Sequence, residues 1–271
     1  MITLTCRGRT VARYLTAPGL PRPYFHPVTT LAGVPVTEER PADHVHHLGA
    51  GIAVPDVDGH NFWGGRTYVR GRGPTELDNH GTQHHVGCTE HRPDGFTADL
   101  SWTADGHELL RERRTVRATG LDDTAWALDL TFALTNTTPA PLSFGSPQTN
   151  GRPGAAYGGF FWRAPKEPRP PHVFTPAADG EEAVHGSTAG WLALAGDGWT
   201  LVHAGGDDTT RRDPWFVRTA DYPGTGSSLA FAGRVPLHPG ETLRRRVVTV
   251  VADGTLDRNA AAVLATRAVG P

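Results

Sequence analysis

Lysine is nearly absent from this chain: Lys166 stands alone among 271 residues, and arginine carries almost all of the positive charge. An Ala/Arg/Gly/Pro-rich coding bias accounts for that preference without a functional cause. Cysteine is scarce as well. Cys6 and Cys88 are too few to staple a chain of this size, and a chain able to bury a large core needs no disulfide, so both are expected as free thiols. No apolar run reaches 18 residues, and no apolar segment follows the alternating Ile2, Leu4 and Cys6, so a transmembrane helix and a secretory leader are both unsupported. A soluble, cytoplasmic protein is the expectation. Blocks of like charge are missing too: 26 basic and 28 acidic side chains leave a formal net charge of −2, with no attraction to nucleic acid or an anionic membrane built in. Finally, the G-x-x-x-x-G-K-[ST], G-x-S-x-G and C-x-x-C signatures are absent. Gly64-Gly65 and Gly71-Arg72-Gly73 lack a strand-to-helix setting. Neither a nucleotide cofactor nor an α/β-hydrolase triad is expected.

Glycine and proline are abundant, 33 and 23 residues, which argues for many turns between short strands. Trp126, Leu128, Leu130, Phe132 and Leu134 alternate with more polar residues and read as a long half-buried strand. His107 to Thr119 reads as its antiparallel partner, entered by a turn at Ala104-Asp105-Gly106 and left by Gly120 to Asp123. Trp191–Ala195 and Trp199–His203 flank Gly196-Asp197-Gly198 as another hairpin. Leu237 to Glu241 separates Ser228–Val235 from the β-branched run Arg246–Val251, giving a meander in this half. Asp257 to Val269 is the one convincing helix, with Asp257 as its cap, and it should pack on an outer face. Gly145 to Ala178, dense in Gly and Pro, reads as a long functional loop. The whole predicts a single all-β domain over residues 1–271, a large antiparallel β-sandwich with a short C-terminal helix.

Nine of the 14 histidines fall between His26 and His91. In Asp43-His44-Val45-His46-His47 an extended backbone would put His44 and His46 on one side and His47 on the other, a parity that lapses in a loop. With His84 and His85, these histidines are candidate ligands for a divalent transition metal: Mn, Zn, Ni or Co, with Cu or Fe less favoured. The same imidazoles can instead line a polar cleft as acid–base groups. His46, His85, Glu112 and Arg163 are the candidate catalytic residues. Sugar rings offer apolar C–H faces beside hydroxyls, so Asp43, Trp63, Tyr157, Trp162, Trp215 and Arg218 are candidates to bind a small sugar or glycoside.

Arg22-Pro23-Tyr24-Phe25-His26-Pro27, Gly33 to Thr37, Asp43 to His47 and Asp56 to Trp63 carry a family resemblance. It continues through Gly81–His85, Trp102–Glu112, Tyr157–Arg163 and Pro214–Arg218, nearly the whole chain in order. By these motifs the chain resembles the bacterial methane-oxygenase PmoA-like family. Leu48 and Thr82-Gln83-His84 depart from the family's pattern. The resemblance implies a galactose-mutarotase-like supersandwich and a role in carbohydrate metabolism beside a sugar oxidoreductase. A lyase or hydrolase of an oxidised (3-keto) glycoside is the function expected, with His46 or His85 removing a proton and a metal or Arg163 stabilising the enolate oxygen. Three alternatives stand beside it: a cofactor-independent epimerase using Glu112 as base, a Cu or Fe oxygenase, and a non-catalytic carbohydrate-binding protein using Trp63, Trp162 and Trp215 as platforms.

Overall fold

Long period-two segments dominate the chain, and in the computed structural model, which describes residues 1–270, they form two large antiparallel sheets stacked face to face. The first has seven strands, in the spatial order Ile2–Cys6, Arg9–Leu15, Tyr24–Val28, Ala50–Ala53, Gly159–Arg163, Gly224–Ser228, Trp215–Arg218. The second has eight, in the order His172–Phe174, Trp191–Gly196, Trp199–Gly205, Thr242–Asp253, Ala125–Asn136, His107–Gly120, Gly95–Ala104, Thr82–Arg92. Between them lies one continuous apolar cluster running from Leu4 and Phe25 through Trp102, Trp126 and Phe132 to Trp162 and Trp215. The all-β sandwich expected from the sequence is thus the fold, and Cys6 and Cys88 are free.

The expected hairpins form for local reasons. Asp105 and Gly106 both adopt positive φ (51° and 77°), as a tight two-residue turn requires, and join Gly95–Ala104 to His107–Gly120. Trp191–Gly196 pairs with Trp199–Gly205 across Asp197-Gly198. The C-terminal helix spans Arg258–Val269; the Asp257 carboxylate accepts from the Ala260 amide at 2.8 Å, and Ala261, Leu264 and Ala265 pack on the outer face of the larger sheet. Among the described residues no helix is long and apolar enough to cross a membrane.

Two sequence expectations are corrected. Val235–Leu237 does not pair with the strand that follows it. It joins Leu142–Gly145 and Asp56–Val57 in a small third sheet, while Thr242–Asp253 lies between Ala125–Asn136 and Trp199–Gly205. A strand buried on both faces, as Val247–Ala252 is, belongs in a sheet's centre rather than in a local meander. The segment 145–178 is not one loop either, because Gly159–Arg163 forms an interior strand of the seven, between Ala50–Ala53 and Gly224–Ser228. All five of its residues are buried, so no polar alternation marks it, and a Cβ on Gly159 would lie 2.7 Å from the Ser227 carbonyl oxygen.

Glu112, expected to be catalytic, is also in the core. It alternates inward with Leu110, Arg114 and Val116, is 0% exposed, and pairs with Arg114 at 2.6 Å while accepting from the Trp102 indole at 2.8 Å. Arg114 donates onward to the Tyr14 hydroxyl at 3.0 Å. These buried charges satisfy one another and face no cleft.

Candidate functional site

The outer face of the seven-stranded sheet carries the site, and strand parity decides which side chains reach it. On Gly159–Arg163, Phe160 and Trp162 turn into the sandwich core; Phe161 turns out, to a second aromatic cluster with Trp63 and Phe216, and Arg163 shares its side. On Trp215–Arg218, Trp215 and Val217 point inward, Phe216 and Arg218 outward. Above this layer is a cleft of about 720 Å³ whose walls include Asp43, His44, His46, His47, Trp63, Tyr157, Arg152, Arg218 and Tyr222.

The histidine segment is a loop of tight turns, not a strand. The His44 amide donates to the Pro41 carbonyl at 2.9 Å, and the His47 amide to the His44 carbonyl at 2.8 Å. The parity of an extended chain therefore does not apply, and all three rings gather. His44 stacks on His47 at 4.5 Å and 16°, and His46 lies 4.8 Å from His47 and 5.7 Å from His44. Gly64 and Gly65, both at positive φ (93° and 66°), let the chain pass beneath His46; a Cβ on Gly65 would stand 2.9 Å from its ring.

The rings differ in chemistry. His44 Nδ1 lies 3.1 Å from the Asp43 carboxylate, which as an acceptor places the proton on Nδ1 and leaves Nε2 as the basic nitrogen. Burial raises the Asp43 carboxyl, but the bond from His44 and the charge of Arg163 outweigh it and hold the group below the ordinary range. Arg163, 3.3 Å from Asp43, also donates to Glu38 at 3.1 and 3.2 Å. His47 is 2% exposed, and its Nδ1 faces the Arg163 guanidinium at 3.4 Å. A guanidinium only donates, so His47 carries its proton on Nε2. Burial, with His46, His44 and Arg163 nearby, pushes its pKa far below the usual histidine range. His46 falls to about 4, from burial first and then the neighbouring His44 and Arg22.

The aromatic side chains give the cleft its surfaces. Trp63 lies 4.5 Å from Tyr157 and 4.7 Å from Phe161. Tyr222 covers Arg163 at 5.0 Å and touches His44 and His47 at 4.6 and 5.0 Å. Burial raises its phenol, which stays protonated and able to donate. Arg22, buried, donates to the backbone carbonyls of Trp63 and His46 and fixes the two segments that carry them.

Of the residues expected from sequence, Asp43, His44, His46, His47, Trp63, Tyr157 and Arg218 meet at this cleft. Arg163 does not face it: it is 0% exposed and braces Asp43 from behind. Trp162 and Trp215 are core residues, their indoles donating to the Val36 and Ala189 carbonyls, so they offer no sugar platform. His84 and His85 line a separate groove of about 180 Å³ beside Pro18 and Leu20. There His84 bonds Thr103 at 2.9 Å, and His85 lies 3.9 Å from the Cys88 sulfur. The five-histidine metal set is therefore not assembled. Stacked imidazoles with Nδ1 atoms already committed to Asp43 and Arg163 do not converge on a point, and among the described residues no three His, Cys, Asp or Glu side chains do. Sequence reasoning missed Glu38, Arg22, Arg152 and Tyr222. Tyr222 sits in the turn-rich Asp221-Tyr222-Pro223-Gly224, where no periodicity points to a cleft.

His203 is a purely structural histidine. It lies between Thr249 and Thr225, each hydroxyl 2.9 Å away, is 0% exposed, and is pushed down to about 3 by burial. His47 and His203 both have folded pKa values below the ordinary 6.5, so the unfolded chain takes up protons first as pH falls. Stability complete above 6.5 is then lost on acidification, by about 2 kcal/mol for each at pH 5. Urea titrations at pH 7 and pH 5 should show that loss, and His203→Gln should lessen it.

The family model matching the chain covers residues 1–266 and describes a family of unknown function, DUF6807. No curated protein matches the sequence. Solved structures similar to it include a galactose mutarotase related enzyme from Lactobacillus acidophilus, 11% identical, at TM-score 0.34 over 64% of this chain and 72% of that one. A polysaccharide lyase is 11% identical at TM-score 0.39, over 94% of this chain, and a heparinase III 8% identical at TM-score 0.27, over 65%. The chain spans 34% of that lyase and 22% of that heparinase. At such TM-scores these likenesses carry no information on activity.

Proposed function

The chain belongs to the DUF6807 family, for which no function is described, and from the geometry of its cleft we propose that it is a carbohydrate-active enzyme. In this reading the Asp43–His44 pair removes a proton from a sugar carbon made acidic by a neighbouring carbonyl. The observation that carries it is the 3.1 Å contact between Asp43 and His44 Nδ1 at the wall of an aromatic-lined cleft, because it fixes the tautomer in which Nε2 is the base. Tyr157, backed by the buried Trp63, supplies apolar surface for C–H faces of a sugar.

The substrate we favour is an oxidised (3-keto) glycoside delivered by a sugar oxidoreductase. Its ketone acidifies the adjacent C–H; His44 Nε2 takes the proton, the C–H electron pair forms the enolate, and collapse of the enolate expels the glycosidic oxygen with its aglycone. Tyr222 and Arg218, which line the cleft, replace Arg163 as donors to the enolate oxygen. His44 replaces His46 as the base, since His46 has no carboxylate to orient it. The epimerase alternative loses its carboxylate base, because Glu112 is in the core.

Incubation with 4-nitrophenyl 3-keto-β-D-glucoside tests this reading. Wild-type protein should release 4-nitrophenol faster than the buffer blank, and His44→Gln should not. No release by wild-type protein would count against the lyase.

A further inference from the structure

The carbohydrate reading leaves a cation of the cleft unused, Arg152. The other two guanidiniums that line the cleft have carboxylate partners, Arg66 with Glu76 at 2.9 Å and Arg218 3.7 Å from Glu181, and Arg163 behind it pairs with Asp43. Arg152, which lines the cleft, makes no ion pair among the described residues. Its position is imposed. Arg218 donates to the Gly154 carbonyl and so ties the 148–154 loop against the cleft wall, bringing Arg152 beside a second cation. Arg70 donates to the Thr149 carbonyl of the same loop at 3.3 Å. The Arg152 charge also reaches Tyr157 and Tyr222, favouring the ionised form of each against the burial that raises them. Arg66, Arg152 and Arg218 thus meet Asp43, Glu76 and Asp221 around one aromatic pocket, and of the three guanidiniums Arg152 alone lacks a carboxylate partner among the described residues. A guanidinium at a cleft wall with no carboxylate of its own is open to an anion from outside.

We propose that this cleft takes a sugar bearing a carboxylate, seated on Arg152 with Arg218 beside it while the ring lies against Tyr157. A planar carboxylate matches the fork of a guanidinium. The pocket has no helix N-terminus to cradle a phosphate: the nearest helical turn, Glu181–Val184, has four residues and opens on two acidic side chains. The proposal rests on the carbohydrate reading and adds the charge of the substrate.

Titration calorimetry with 4-nitrophenyl β-D-glucuronide and 4-nitrophenyl β-D-glucoside separates the two. Wild-type protein should bind the glucuronide about tenfold more tightly, the worth of one charge-assisted pair. Arg152→Met should bring that ratio to about one, while Arg152→Lys retains part of the preference. Arg152 is exposed on a loop, so neither variant disturbs the core. Equal or tighter binding of the glucoside by wild-type protein, or a preference that survives Arg152→Met, would overturn the carboxylate proposal and leave the carbohydrate reading standing. Binding of neither would overturn both.

Discussion

Replacing His44 with glutamine should lower turnover about 10³-fold while changing sugar affinity only a few-fold, the pattern expected when a general base is lost and binding surfaces remain. Asp43→Asn should cost about 10²-fold, because an amide no longer demands the proton on Nδ1 and the ring loses its fixed tautomer. His46→Ala is the internal comparison. It removes an imidazole from the same loop, with no carboxylate contact, and should lower turnover less than either. Steady-state release of aglycone for the three variants and the wild-type protein checks the order. If His46→Ala proved the most damaging, His44 would not be the base.

Glu112 should show the opposite separation. Glu112→Ala leaves the Arg114 guanidinium, 0% exposed, without its carboxylate, and loss of one partner of a buried pair costs about 3–5 kcal/mol. Glu112→Leu with Arg114→Met removes both charges together and should restore most of that stability. Turnover per folded molecule should match the wild-type protein in the double variant, since neither side chain lines the cleft. Denaturant titrations and active-site kinetics on the same samples distinguish the cases. A Glu112→Ala protein of full stability and no activity would return Glu112 to the catalytic machinery.

The contrast between these residues shows what the sequence could reveal. Period-two alternation exposed the long strands, and Asp105-Gly106 and Asp257 marked a turn and a cap, because each signal is local. Gly159–Arg163 was hidden: a strand buried on both faces carries no alternation. The same blindness misassigned the aromatics. Phe161 and Trp162 are neighbours in sequence on opposite faces of a sheet, and without knowing which face is interior nothing selects the tryptophan for the core. Composition drew attention to the histidines and Asp43, and the loop did gather them. Their grouping with His84 and His85 failed because the chain between them passes through Ala50–Ala53 of the seven-stranded sheet, Asp56–Val57 of the third sheet and a hairpin of Thr67–Val69 with Gly73–Thr75, and then enters the edge strand of the eight-stranded sheet, which carries His84 and His85 to a different groove. Glu112 and Arg163 misled for a common reason. A charged side chain in an apolar setting signals a partner, and in both cases that partner is another side chain of the protein.

The central claim is that His44 removes a carbon-bound proton from a sugar. Proton NMR of methyl 3-keto-β-D-glucoside in D₂O reads that step whether or not a leaving group departs. Wild-type protein should exchange the C–H next to the ketone for deuterium well above the buffer rate, and His44→Gln should fall to the buffer rate. Exchange at equal rates by both proteins, or none by the wild-type protein, would contradict the account.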